Sequence, residues 1–226
     1  MSYLLRRLAL TTVLFGVIPV ALFFGLAGRW DLWNVWAVIG ITFILFAFQA
    51  VTLYFKDPDL LREQARPAGH ELPGRRRLQI LSFMMSFLSV CIAGLDQRFH
   101  WSDVIPVVGV LAGIMLTVLG IGLYTWATFT NSFFSFMARS QADRGQRVVS
   151  EGPYAIVRHP GYAGLVLSIV ASGIAFNSVL SIIPAVIAVL LFTRITAIED
   201  RMLHDELAGY ANYAAKVRYR LIPGVW

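Results

Sequence analysis

Charge is scarce in this 226-residue chain: Asp, Glu, Lys and Arg together make up 14%, against about a quarter in soluble domains. That excludes an ordinary water-exposed globular surface. There is one cysteine, Cys91, inside an apolar run, so neither a disulfide framework nor a cysteine-ligated metal site can be built. No second histidine or carboxylate stands at ligand spacing from His159, and no metal is expected. A strand-borne GxGxxG loop is missing as well, which excludes a Rossmann domain. The glycines at 109, 113, 120 and 122 lie in an apolar run and suit close helix packing instead. Neither an internal repeat nor a low-complexity segment stands out.

What the chain has in abundance is apolar length. Hydrophobic residues reach 58% and mean hydropathy is +0.68, and runs of about 20 apolar residues, enough for a bilayer-spanning helix, follow one another. They cover Leu8 to Gly28, Trp33 to Phe55, Ile80 to Leu95 and Val104 to Phe129, with a final stretch from Tyr162 to Thr193. The first run is too long for the apolar core of a signal peptide and is expected to be a retained helix. The last is too long for one span, and Gly173, Asn177, Ser178, Ser181 and Pro184 near its middle divide it into two short arms, about Tyr162 to Phe176 and Leu180 to Thr193. Helix is the conformation that satisfies backbone groups in lipid. The expected fold is therefore all-α: a polytopic integral membrane bundle of about six spans, the last two a tight helical hairpin, followed by a cytoplasmic helical tail. One membrane domain over 1–226 is expected, with four spans in 1–129 and a functional core in 130–226.

Six spans with both termini inside put 17 of the 19 Lys and Arg on the cytoplasmic side, leaving only Arg29 and Arg98 outside, in accord with the positive-inside rule. The net charge of +6 then reflects topology and contact with anionic membrane lipid, and no nucleic-acid partner is expected. Trp30, Trp33, Trp36, Trp101, Trp126 and Trp226 stand at span ends, as interfacial anchors do.

Polar residues concentrate in two segments that this topology brings to one face, Asn131 to Tyr162 and Arg194 to Pro223. Within Gly152-Pro-Tyr-Ala-Ile-Val-Arg-His-Pro-Gly-Tyr-Ala-Gly164, Pro153 and Pro160 forbid continuous helix and push the preceding residues to extended backbone. The result is a shaped turn that holds Arg158 and His159 where the fifth span begins. Ionisable groups there are functional candidates; the plain alternatives are an arginine snorkelling to headgroups and a structural histidine. Glu199 and Asp200 fall on the helical continuation of the sixth span, either as a solvated face or as chemistry. Gly209 ends that helix, and Tyr210, Tyr213 and Val217 form the stripe of a short second one.

The order Gln141, Val148-Val149, Gly152-x-Tyr154, Arg158-His159-Pro160-x-Tyr162-x-Gly164, Glu199-Asp200-x-x-Leu203, Gly209, Tyr210, Tyr213, Val217, Pro223 resembles the C-terminal signature of the isoprenylcysteine carboxyl methyltransferases. The wider superfamily includes the phosphatidylethanolamine N-methyltransferases. The resemblance covers about Asn131 to Trp226. It implies an S-adenosylmethionine-dependent membrane methyltransferase with a lipophilic small-molecule or lipid acceptor and a cofactor pocket at the cytoplasmic face, in the plasma or inner membrane if the source is bacterial. Carried over position by position, it implies cofactor contacts at Gln141, Gln146, Arg147, Val148, Val149, Tyr154, His159, Pro160, Gly161, Tyr162 and Glu199, with Arg158 and Glu199 shaping the reacting centre. Two positions depart from the pattern. Where that family has an arginine four residues before its first acid, this chain has Ile195, with Arg194 one residue earlier; and Asp200 replaces a second glutamate.

Methyl transfer from a sulfonium is an in-line displacement, so the catalyst's task is alignment. Arg158 is suited to orient a carboxylate acceptor, and Glu199 either to take a proton from an amine or thiol or to bind the cofactor. Phe129, Phe133, Phe134, Phe136 and Met137 are placed for a lipid-side wall. Two alternatives stay open. One is an NADPH-dependent membrane reductase of the sterol reductase type, which shares an Arg-His-Pro-x-Tyr-x-Gly turn but has an acid where this chain has Leu165. The other is a non-enzymatic lipid-binding or transport protein, for which the span interiors lack charged residues.

Overall fold

The structure is a computed structural model that describes residues 2–64, 74–135 and 141–226. Among these there are helices and turns and no strand. Helix α1 (Ser2–Thr12) passes through one π turn (Val13–Val17) into α2 (Ile18–Ala27). The wide turn sits just ahead of Pro19, whose ring lacks an N–H and in a regular helix presses on the carbonyl four residues back. Then follow α3 (Trp33–Lys56), α4 (Pro58–Gln64), α5 (Arg75–Phe99), α6 (Val107–Thr130), α7 (Pro160–Ala175), α8 (Ile182–Glu206) and α9 (Tyr210–Lys216).

Among the described residues, five rods are long and apolar enough to cross a membrane: Leu4–Ala27, α3, α5, α6 and α8. Helix α7 is the sixth apolar helix. Its 16 residues span about 24 Å at 1.5 Å per residue, short of a hydrocarbon core of about 30 Å. The final hairpin thus has one short arm, as expected, but its second arm is not short. Nothing between Thr193 and Glu206 breaks α8, and the hydroxyls of Thr193 and Thr196 fold back onto the carbonyls of Val189 and Phe192 at 2.9 Å each.

Polar side chains lock the loops at the end of the bundle away from the Arg158 turn. The buried Asp96 carboxylate accepts the Ser102 N–H at 2.8 Å and the hydroxyls of Ser102 and Ser178. Asn177, in the α7–α8 turn with φ of 58°, accepts the Ile105 N–H at 2.7 Å, and Asn34 donates to the Ala175 carbonyl at 2.7 Å. Beneath this lies a core of Phe23, Phe24, Val35, Val38, Ile39, Ala93 and Phe176. At the other end Leu4 packs on Leu53, Leu60 and Leu61, which brings the start of α1 to the face that carries the start of α5 and the end of α8.

The tightest helix pair is α6 on α7. A side chain at Gly113 would press on the Ala175 backbone nitrogen at 2.6 Å, and Gly120 and Gly164 each face the other's backbone carbonyl. Backbone contact of this kind requires small residues. Of the four glycines of this run, Gly113 and Gly120 serve the interface, whereas Gly122 has open space around it and Gly109 meets only Ile105. Because backbone cannot move aside, Gly120→Ala is expected to destabilise the protein by about 1–3 kcal/mol. Gly122→Ala is expected to be neutral or stabilising by up to about 1 kcal/mol; thermal unfolding in detergent compares the two.

Candidate active site

The proline-bounded turn folds as its sequence requires. Gly152–Ala155 makes a 3-10 turn, residues 157–159 leave the helical path with a bend at Arg158, and Pro160 opens α7 at a position where a missing N–H does no harm. These residues pair with the chain end: the N–H groups of Arg158 and His159 donate to the carbonyls of Tyr219 and Arg220, both at 2.9 Å.

Their side chains meet α8 at Asp200, which is 1% exposed. The Arg158 guanidinium donates through Nε to Oδ1 at 2.8 Å and through Nη2 to Oδ2 at 3.0 Å, and its Nη1 donates to the carbonyls of Val217 and Arg218 at 3.0 and 2.9 Å. Four of the five N–H groups of an arginine are thereby committed to protein acceptors. Arg220 Nε donates to Asp200 Oδ2 at 2.8 Å, the Tyr210 hydroxyl to Oδ1 at 2.9 Å, and His159 Nε2 lies 3.2 Å from Oδ1. Tyr213 donates to the Tyr154 carbonyl at 2.7 Å. Burial raises the phenols of Tyr154, Tyr210 and Tyr213, with the Asp200 carboxylate adding to the effect at Tyr210. Tyr210 and Tyr213 act as protonated donors, whereas the Tyr154 hydroxyl accepts from the Asn131 amide at 3.3 Å.

Between this hub and the end of α6 opens a cleft. Gln141, Gln146, Arg147, Val148, Val149, Tyr154, Arg158, His159, Gly161, Tyr162 and Glu199 line it. Pro160 does not, since it serves as the first residue of α7. Gln141 is 1% exposed; its side chain donates to the Phe133 carbonyl at 2.7 Å and accepts from Arg144, while its N–H donates to Gln146 Oε1 at 2.8 Å. It thus shapes the segment that carries Gln146 to Val149. Of the expected aromatic wall, Phe133 and Phe134 line the cleft, Phe129 packs on Phe48 at the bundle surface, and Phe136 and Met137 lie outside the described residues. Among the described residues no group of three His, Cys, Asp or Glu is placed to hold a metal.

Two features were not read from the sequence. Arg75, at the start of α5, is 1% exposed and donates through Nη2 to Glu199 Oε2 at 3.0 Å and to the Tyr162 hydroxyl at 2.9 Å. Arg194, by contrast, is exposed, and Ile195 is buried. The other feature is an apolar cavity of about 330 Å³ among the helices, walled by the π turn, α2, α3, α5, α6, α7 and α8. Hydroxyls on its wall, at Ser86, Thr117, Ser168 and Ser172, bond back to their own helices at 2.9 Å each, so the surface it offers is apolar. Tyr124 lines both the cleft and the cavity.

Residues 108–208 match the phospholipid methyltransferase family. The match covers a little under half of the chain. The match takes in nearly all of α6 and ends before α9, so it begins earlier and stops sooner than the likeness read from the sequence. Among solved structures, the fold resembles a eukaryotic intramembrane Ras methyltransferase, isoprenylcysteine carboxyl methyltransferase, with a TM-score of 0.58 over 96% of this chain and 76% of that one, at 20% identity. No curated protein sequence matches the chain. The Asp200 hub ties α8, the turn and the tail together, and removing its charge strands Arg158. Asp200→Asn is expected to cost about 3–5 kcal/mol, as for other broken buried pairs. The exposed Asp205→Asn is expected to stay within about 0.5 kcal/mol, with both read by thermal unfolding in detergent.

Proposed function

We propose that the protein transfers a methyl group from S-adenosylmethionine to a lipophilic acceptor at the cytoplasmic face of the membrane, with both termini on that face. The observation that carries this reading is the junction at Tyr124, where a polar cleft open at the end of the bundle and an apolar cavity inside it share a wall. One reactant is water-soluble and the other is lipid-soluble, and this arrangement gives each its own compartment. The orientation rests on the sequence pattern, in which six spans with both termini inside assign 17 of the 19 Lys and Arg to the cytoplasmic side.

The residues of the cleft fit the methyl donor. Aromatic rings at Phe133, Phe134 and Tyr154 offer stacking surface for a purine, and Gln146 and Glu199 offer polar groups for its ribose and amino-acid portions. When bound, S-adenosylmethionine supplies an electrophilic methyl group on a sulfonium. The protein's residues then have to align an acceptor nucleophile and exclude water. Arg158 fixes the geometry of the 152–162 turn through Asp200 and the tail carbonyls; His159, Gly161 and Tyr162 present the floor of the cleft; Glu199 presents a carboxylate oxygen to it. The acceptor's apolar portion occupies the cavity, with its reacting head beside Tyr124 and Tyr162.

Calorimetry with the detergent-purified protein tests the reading. S-adenosylmethionine is expected to bind in the micromolar range and to weaken at least tenfold in Glu199→Ala, with no binding of NADPH. Binding of NADPH alone overturns the proposal in favour of a reductase. The cavity makes a separate prediction. In a screen of acids, thiols and amines of increasing chain length, Ser172→Phe, which fills one wall, is expected to shift the preferred acceptor to a shorter chain, because an overfilled apolar site rejects the larger ligand.

A further inference from the structure

An arginine that only sets membrane orientation extends its head to the interface. Arg76 and Arg77 are exposed in that way. Arg75 is not, and among the described residues it is the bulkiest fully buried side chain. Helix α5 turns a narrow polar and small-residue face inward, with Arg75, Gln79, Ser82, Ser89, Ala93 and Asp96 buried, at steps of three, four and seven that keep one helical stripe. A buried cation is tolerated when it is paired and hydrogen-bonded, and the pairing here falls on the wall of the cleft. Arg75 Nη2 donates to Glu199 Oε2 and to the Tyr162 hydroxyl, which itself donates to the same Oε2 at 2.9 Å. The three groups close a triangle.

The triangle sits at the boundary of the two compartments. Glu199 and Tyr162 line the cleft, and the Tyr162 ring lies 6.2 Å from that of Phe192, which lines the apolar cavity. Helix α8 has no guanidinium of its own to offer there. One turn before Glu199 on the same face is Ile195, 1% exposed, and Arg194, about 100° away around the helix, is exposed. Only one oxygen of Glu199 is engaged: among the described residues Oε2 takes both hydrogen bonds, and Oε1 takes none.

Resting on the reading of the cleft as the methyl-donor site, we propose that Arg75 is a positioning residue of the reaction: it clamps Glu199 Oε2 and Tyr162 together, so that Glu199 Oε1 is aimed into the cleft as the acceptor for a donor group of S-adenosylmethionine. Arg75 touches neither reactant. It acts through Glu199, and that distinguishes it from a residue that merely supports the fold.

The test is a double-mutant cycle on binding, with S-adenosylmethionine and S-adenosylhomocysteine as probes, by calorimetry on the detergent-purified full chain. Arg75→Met is expected to weaken both ligands at least tenfold and Arg75→Lys to recover part of that loss. Arg75→Met combined with Glu199→Gln is expected to bind no more weakly than Glu199→Gln alone, because a residue that works through its partner is non-additive with it. Tyr162→Phe, which removes only a hydroxyl, is expected to show the same non-additivity with Glu199→Gln and serves where Arg75→Met is not recovered folded. Arg75→Met binding within twofold of wild type, or losses that add, overturns the inference while leaving the methyl-donor reading intact. Failure of the wild-type protein to bind either probe overturns both.

Discussion

The arrangement of the site depends on one buried charge. Asp200, near the end of α8, draws to itself the turn before α7, α9 and the chain beyond it, because each of these contributes a donor to its two oxygens. A carboxylate out of water is unfavourable unless its lone pairs are filled. The need to fill them selects one way of folding a tail that has little apolar surface of its own. Arg158 carries the constraint further, since the same guanidinium that pairs with Asp200 also binds the carbonyls of Val217 and Arg218. Ionic geometry thus sets the polar rim of the cleft, whereas packing sets the membrane interior.

That interior is governed by the opposite requirement, close approach without charge. Helices α6 and α7 touch backbone to backbone through Gly113, Gly120 and Gly164, which fixes the height of Tyr124 on α6 relative to Tyr162 on α7. Elsewhere the bundle is looser. Serines at 86, 89, 168 and 172, small residues on inward faces of α5 and α7, leave the space of the apolar cavity. A tight pair beside loosely filled neighbours yields both a rigid wall and a void, and Tyr124 belongs to both compartments.

Much of this was legible in the sequence, and the remainder was not for identifiable reasons. Apolar run lengths revealed the long spans, and Pro153 and Pro160 revealed the turn, since both signals are local. The hairpin's second arm was misjudged in length: apolar content ends near Thr193, but helical backbone does not, and α8 continues to Glu206. Ten of the eleven expected cofactor contacts line one cleft, although for Gln141 the structure shows why it faces its own loop. Arg75 was hidden by its company, because three consecutive arginines at a span end read as topology. The signal that distinguishes it is phase: Arg75, unlike Arg76 and Arg77, shares the stripe of Gln79, Ser82 and Ser89. The cavity has no sequence signal at all, being a property of six helices together.

Glu199 and Asp200 show how finely a helix partitions such work. Adjacent residues point about 100° apart, so Asp200 faces the tail and Glu199 faces α5 and the cleft. The pairing of Glu199 with Arg75 then makes the cleft wall depend on the relation of α5 to α8. That relation is held from within the membrane: Ser89 on α5 donates to the Ser181 carbonyl at the start of α8 at 2.7 Å, and Phe83 packs edge-on against Phe192 at 6.2 Å between ring centres. Phe192 also abuts Tyr162 and lines the cavity. Phe192 thus links the wall of the apolar cavity to Tyr162 and, through it, to the Arg75–Glu199 triangle by direct contacts.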